Sequence, residues 1–204
     1  MRPLLNVNFV NGAMSIALPL AYKLNLNARL AWYMLKQINS QKKYEETVMP
    51  QIVTTEMTEL VSPGMANFSG KMHGGELLKL LDKAALTCGM RYSGFYCVTL
   101  SVDKVVFREP IFIGELVTLL ATVNYTGRTS MEIGIKVIAE DLKGKSVRHT
   151  NTCFFTMIAV DDDGKPTKVP PLILNTDEQR SRWVSAEKRR NATMKLELDL
   201  KESA

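Results

Sequence analysis

Residues 73–90 read HGGELLKLLDKAALTCGM, and no other stretch limits the fold of this chain so tightly. Leu77, Leu78, Leu81, Ala84, Ala85 and Cys88 recur at i, i+3, i+4, the spacing of one helical face. Leu80 and Leu86 add apolar surface on the other sides, and a helix apolar nearly all round must be buried. After Gly89 and Gly94 bracket its exit, the chain carries only strand signals. Residues 95–107 set Leu100 and Val102 against Thr99, Ser101 and Asp103; residues 116–125 follow; residues 131–139 alternate as Met131, Ile133, Ile135 and Val137; residues 147–160 are the last long run. Gly127-Arg128, Leu142-Lys143-Gly144-Lys145 and Asp161-Asp162-Asp163-Gly164 supply the turns. A weaker strand signal over residues 51–60 precedes the helix and ends at Pro63-Gly64. The order is strand, long buried helix, then four strands in an antiparallel meander. Such a helix is buried by curling the sheet around it, so the expected class is α+β, an antiparallel sheet of about five strands wrapped around a long central helix.

The flanks divide the chain into an N-terminal extension (1–49), this domain (50–174) and a charged C-terminal helix and tail (175–204). Residues 165–174 carry three prolines and exclude regular structure. Thr176 then fits an N-cap with Gln179 three residues on, opening a charged helix over residues 176–191. Its Lys188-Arg189-Arg190 run has a phosphate-binding reading, but a solvated helix end with cations at its C-terminus is favoured. The extension holds an apolar run, Ala13 to Tyr22, broken by Pro19. The run is shorter than the roughly 20 residues a membrane span needs. A targeting segment, an interfacial helix, a helical extension packed on the domain and a start at Met49 or Met57 all fit; membrane contact through it is not favoured.

The formal charge of +5 does not imply a nucleic-acid partner. Six basic residues and no acid fall within residues 1–43, which leaves 20 basic against 21 acidic residues, a net −1, for the rest. Three widely spaced cysteines without a C-x-x-C pair suit a reducing, cytoplasmic setting. Two histidines and no clustered ligands match no metal site, and no metal or separate cofactor is expected. G-x-S-x-G and P-loop patterns are absent.

The chemistry concentrates just before and within the central helix. Gly70, Gly74 and Gly75 fall within six residues, allowing close backbone approach, and the helix start offers unpaired N–H groups to an oxygen. Two turns further in, Asp82 stands among Leu78, Leu81, Ala85 and Leu86. The bland alternatives are a salt bridge to Lys79 for Asp82, a turn former for Asn67 and a cap for His73. Gly75 and Asp82 are seven residues apart, about 10 Å along one helix, so one carbonyl cannot touch both. If both act on one reacting group, they come from two chains, and the chain is a dimer with its site at the interface.

The pattern Asn67…Gly74-Gly75…Asp82 resembles the hotdog-fold acyl-CoA thioesterases. Three further stretches are similar to that family: Val98 to Asp103, its interface strand; Phe107-Arg108-Glu109-Pro110 with Ile113-Gly114-Glu115, a strand-to-strand turn; and Gly127 to Glu132, a turn near the CoA moiety. The resemblance implies hydrolysis of acyl-CoA to a free acid and CoA. Asp82 would be general base or nucleophile, Gly75 the backbone oxyanion donor, and Asn67 would orient water or carbonyl. His73, Gly74, Thr99, Arg128 and Ser130 would contact the substrate. CoA enters as part of the substrate, and a dimer, as a trimer of dimers, is the implied assembly. A dehydratase or hydratase using His73 with Glu76, and a non-enzymatic acyl-CoA-binding module, are the competing readings.

Overall fold

The computed structural model describes residues 51–203; the readings made for residues 1–49 lie outside them. Strand β1 (Thr54–Leu60) leads through a 3-10 turn (Pro63–Met65) to helix α1 (Gly74–Ser93). Strands β2 (Tyr96–Val102), β3 (Leu116–Thr126), β4 (Ser130–Asp141) and β5 (Ser146–Val160) follow, then helix α2 (Asp177–Glu202). All five strands form one antiparallel sheet in the order β1-β3-β4-β5-β2.

The sheet curls because α1 has to be enclosed. The helix contacts every strand, and its Leu81, Ala84, Ala85 and Cys88 are wholly buried. Ile133, Ile135 and Val137 of β4 and Phe155 and Met157 of β5 meet them from one face of the sheet. The period-two alternation of a strand puts Glu132 and Gly134 on the other face. Gly94 ends α1 in a left-handed conformation (φ 76°), which glycine adopts without a Cβ clash.

The four-strand meander is only partly correct. β3, β4 and β5 are consecutive neighbours, but β2 pairs with β5 and forms an edge, with two strands between it and β3. The connection explains the difference. Residues 103–115, which include the stretch read as the end of β2, are mostly irregular, and thirteen residues far exceed a hairpin loop of about two to five. They cross the N-terminal end of α1, where Met72 N–H bonds to Ile111 O at 2.8 Å.

Helix α2 starts with the expected capping box of Thr176 and Gln179 but runs on to Glu202. The reading of residues 188–190 as a purely solvated basic end is corrected at Arg189. Its guanidinium forks onto Glu132 (2.6 and 3.1 Å) and lies 3.6 Å over the Phe154 ring. Glu132 is a buried carboxylate on the sheet face turned away from α1, and it needs a cation from whatever covers that face. Trp183 packs on Tyr125 with ring centroids 5.1 Å apart, and Ala186 is buried between helix and sheet.

Candidate functional site

Three groups of candidate residues lie on α1 or in the loop that leads into it. At the helix N-terminus, His73 is the N-cap, and its Nδ1 accepts the Gly75 N–H at 2.9 Å. The expected oxyanion donor is therefore occupied by a neighbouring side chain. The Gly74 N–H beside it has no partner among the described residues. Neither glycine has a positive φ; what each supplies is room. A Cβ on Gly74 would stand 3.5 Å from the Phe107 ring, and one on Gly75 only 3.1 Å from His73 Nδ1.

Asn67 lies in the loop before the helix. Its Oδ1 accepts three bonds, from Ser69 N–H (3.0 Å), Ser69 Oγ (2.9 Å) and Lys71 N–H (3.2 Å). The turn-forming reading is thus correct for the oxygen. These bonds also fix which end of the amide is free: Nδ2, a two-proton donor, has no partner among the described residues. Asn67, Gly74, Met72 and Leu77 line a cleft of about 250 Å³ whose far wall is Phe107, Pro110 and Ile111.

Asp82 is half-buried and has one side-chain partner among the described residues. Thr99 Oγ of β2 donates to its Oδ1 at 2.6 Å. The expected alternative, an ion pair with Lys79, does not form; Lys79 meets Glu76 at 3.8 Å. Thr99 sits beside a bulge, because the β2–β5 register shifts between Thr99 and Ser101, and bulges re-aim side chains. Around it Val98, Leu100 and Val102 are exposed, and among the described residues no strand pairs with the outer edge of β2.

The structure separates the remaining candidates. Ser130 lies in another cavity with Arg190, Tyr125 and Ser101, between the sheet and α2. Arg128 is exposed in the β3–β4 turn and lines neither space. Glu76 lies 3.8 Å from Lys79 and His73 Nδ1 accepts from Gly75, so His73 and Glu76 are not paired with each other among the described residues. The thiols are unsuited to nucleophilic work: burial pushes Cys88 up to about 11 and Cys153 up to about 12. Among the described residues no three His, Cys, Asp or Glu side chains gather as a metal site, and no helix is long and apolar enough to cross a membrane. Sequence reasoning missed the cleft wall. The sequence places Phe107 at the end of a strand and in a strand-to-strand turn, and nothing local ties it to Gly74, 33 positions away.

Comparison with known proteins places the chain among related sequences and folds. A family model described as the thioesterase superfamily matches residues 69–145. Protein VdlD of Helicobacter pylori is 52% identical over 134 residues, which cover 66% of this chain and 76% of that protein. An acyl-CoA thioesterase solved as an apo hexamer superposes with a TM-score of 0.67 at 34% identity, over 70% of this chain and 91% of its own. The acyl-CoA hydrolase of Staphylococcus aureus, solved with butyryl coenzyme A and coenzyme A, gives 0.67 at 27% identity over 74% and 92%. That hydrolase was also solved as alanine variants of an asparagine, an aspartate and a threonine, spaced 15 and 17 residues apart. Asn67, Asp82 and Thr99 have the same two spacings.

Proposed function

This chain belongs to the thioesterase superfamily, and from that premise we propose that it hydrolyses acyl-CoA: acyl-CoA and water give a free carboxylic acid and CoA. The observation that carries the proposal is the Asp82 carboxylate, oriented by a 2.6 Å bond from Thr99 and set seven residues along one helix from an N-terminus with free and exchangeable donors. Water attacks the thioester carbonyl carbon while Asp82 takes its proton. The carbonyl oxygen gains charge and needs donors in place beforehand. It replaces the His73 imidazole on the Gly75 N–H, with the Asn67 Nδ2 donor in the same cleft. The C–S bond then breaks, and the thiolate leaves with a proton returned to it. Direct attack by the carboxylate, through an anhydride that water then opens, uses the same residues.

About 10 Å of helix rise separates Gly75 from Asp82, whereas an attacked carbon and its oxygen lie within one bond. The complete site therefore pairs the Asp82 of one protomer with the α1 N-terminus of another. The outer edge of β2, unpaired among the described residues, and the exposed Val98, Leu100 and Val102 support pairing there. A dimer of this kind, assembled as a trimer of dimers like the hexameric relative, is the proposed oligomer. Three buried unpaired cysteines suit a reducing cytoplasm.

The test is CoA-thiol release from a panel of short- to long-chain acyl-CoAs by wild type and Asp82→Asn. Release by the wild type that falls by orders of magnitude in the variant supports the proposal. Equal release by both removes Asp82 from the mechanism. No release from any substrate, with acyl-CoA still bound, replaces hydrolysis with the binding-module reading.

A further inference from the structure

The wall facing Asn67 and Gly74 is irregular chain, and Arg148 of the sheet bonds directly to its backbone. Residues 107–111 carry Phe107, Pro110 and Ile111 into the cleft. Pro110 has no N–H to donate, so its own backbone can be held only through its carbonyl. Ile111 O accepts from Met72 N–H at 2.8 Å, next to the helix start. Pro110 O accepts from Arg148 Nη2 at 3.0 Å. Arg148 lies on β5, and both of its terminal nitrogens also bond Glu115: Nη1 to Oε1 at 2.9 Å and Nη2 to Oε2 at 2.9 Å. Glu115 Oε2 also accepts the Phe112 N–H at 2.9 Å. The carboxylate is nearly enclosed, with its side chain 7% exposed against 29% for Arg148.

Two parallel bonds already satisfy the buried Glu115, and an ion pair serving only the fold would need no more. The bond to Pro110 O is directed at the segment that forms the cleft. The planar fork reaches the carboxylate and the carbonyl together, a geometry a lysine ammonium cannot reproduce.

We propose that Arg148 is a positioning residue for the acyl-CoA site: through Glu115 and the Pro110 carbonyl it sets the Phe107–Ile111 wall against Gly74, and so fixes the room available to the acyl end of the substrate. The inference rests on the acyl-CoA reading above. It places a determinant of substrate fit on β5, outside the helix and loop that hold the reacting groups.

The experiment uses Arg148→Lys, which keeps a cation beside Glu115 but loses the fork, alongside Phe107→Ala and the double variant. Binding of a non-hydrolysable S-hexyl thioether of CoA is measured by calorimetry, and KM and kcat are measured over acyl-CoAs of increasing length. Arg148→Lys is expected to keep the melting temperature within a few degrees, to weaken thioether binding and raise KM about tenfold, as for the loss of one bond from a charged donor, and to leave kcat within about twofold. The double variant should bind little more weakly than Phe107→Ala alone, because both changes act on one wall. Wild-type thioether affinity and KM in Arg148→Lys, or full additivity with Phe107→Ala, would overturn the proposal. Failure of the hydrolase reading is seen separately, as thioether binding by the wild type without CoA release; the affinity comparison then still decides the role of Arg148. If the wild type does not bind the thioether, both readings fall.

Discussion

Replacing Thr99 by valine removes one hydrogen bond and very little volume. The hydroxyl donates to Asp82 Oδ1 at 2.6 Å, within the roughly 2.5–2.7 Å range of hydroxyl-to-carboxylate bonds. Bonds to charged groups contribute about 1.5–3 kcal/mol net, and the lower end applies here because Asp82 is only half-buried. At about 1.4 kcal/mol per decade of rate, losing the orientation of the carboxylate in the transition state should lower kcat roughly tenfold. KM should change little, since no contact to the acyl chain is removed. Stability should also hold: valine has nearly the shape of threonine, the position is on an edge strand, and its packing neighbour Met157 stays in place. The assay is CoA-thiol release at saturating acyl-CoA with a thermal melt on the same samples, and Thr99→Ser as control. Serine should retain most of the rate. Thr99→Val at the wild-type kcat would refute the idea that the hydroxyl orients Asp82. A serine variant as slow as the valine one would show that the methyl group, not the bond, was the contribution.

Other consequences concern the rest of the molecule. Arg189→Met should leave the buried Glu132 without its cation and lower stability by about 3 kcal/mol, the lower end for breaking a buried pair because Arg189 is partly exposed; adding Glu132→Gln should recover part of the lost melting temperature, and no recovery would show that the loss was one of packing on Phe154. Gly134→Ala should destabilise more than a surface glycine change, because its Cβ would fall on the Asn124 amide nitrogen, and Asn124→Ala should relieve it in urea titrations. The thiols should resist Ellman's reagent at pH 8 until the protein unfolds. Burial raises Cys88 from an ordinary 9.0 to about 11, so its contribution to stability is intact below pH 9 and is lost as pH climbs through 11. The melting temperature should therefore fall across that interval, less steeply in Cys88→Ala.

Much of the architecture could be read from the chain because it rests on local periodicity. The all-round apolar pattern of α1 requires enclosure, and the period-two alternation of β4 gives both a core face and the opposite face carrying Glu132. The capping box at Thr176 follows from side-chain reach over three residues. The spacing of Gly75 and Asp82 along one helix is likewise readable, since helical rise is the same in every protein, and it is the basis of the two-chain site proposed above. The order of strands was not legible. β2 sits beside β5 rather than β3 because residues 103–115 cross the end of α1, and the path of an irregular segment is set by contacts distant in sequence, Met72 with Ile111 and Arg148 with Pro110. The same holds for the partners of single side chains. The amino-acid order presents Asp82 with Lys79 one turn away, but only the folded sheet brings Thr99 to it, 17 residues on. Arg189 looked like a solvated cation until Glu132, 57 positions earlier, was placed beneath it. The chain by itself determined which elements form and which side chains are candidates for chemistry, because those depend on neighbours a few residues apart. Only the tertiary structure decided which of these side chains meet, because those contacts come from packing strands and helices that the sequence keeps far apart.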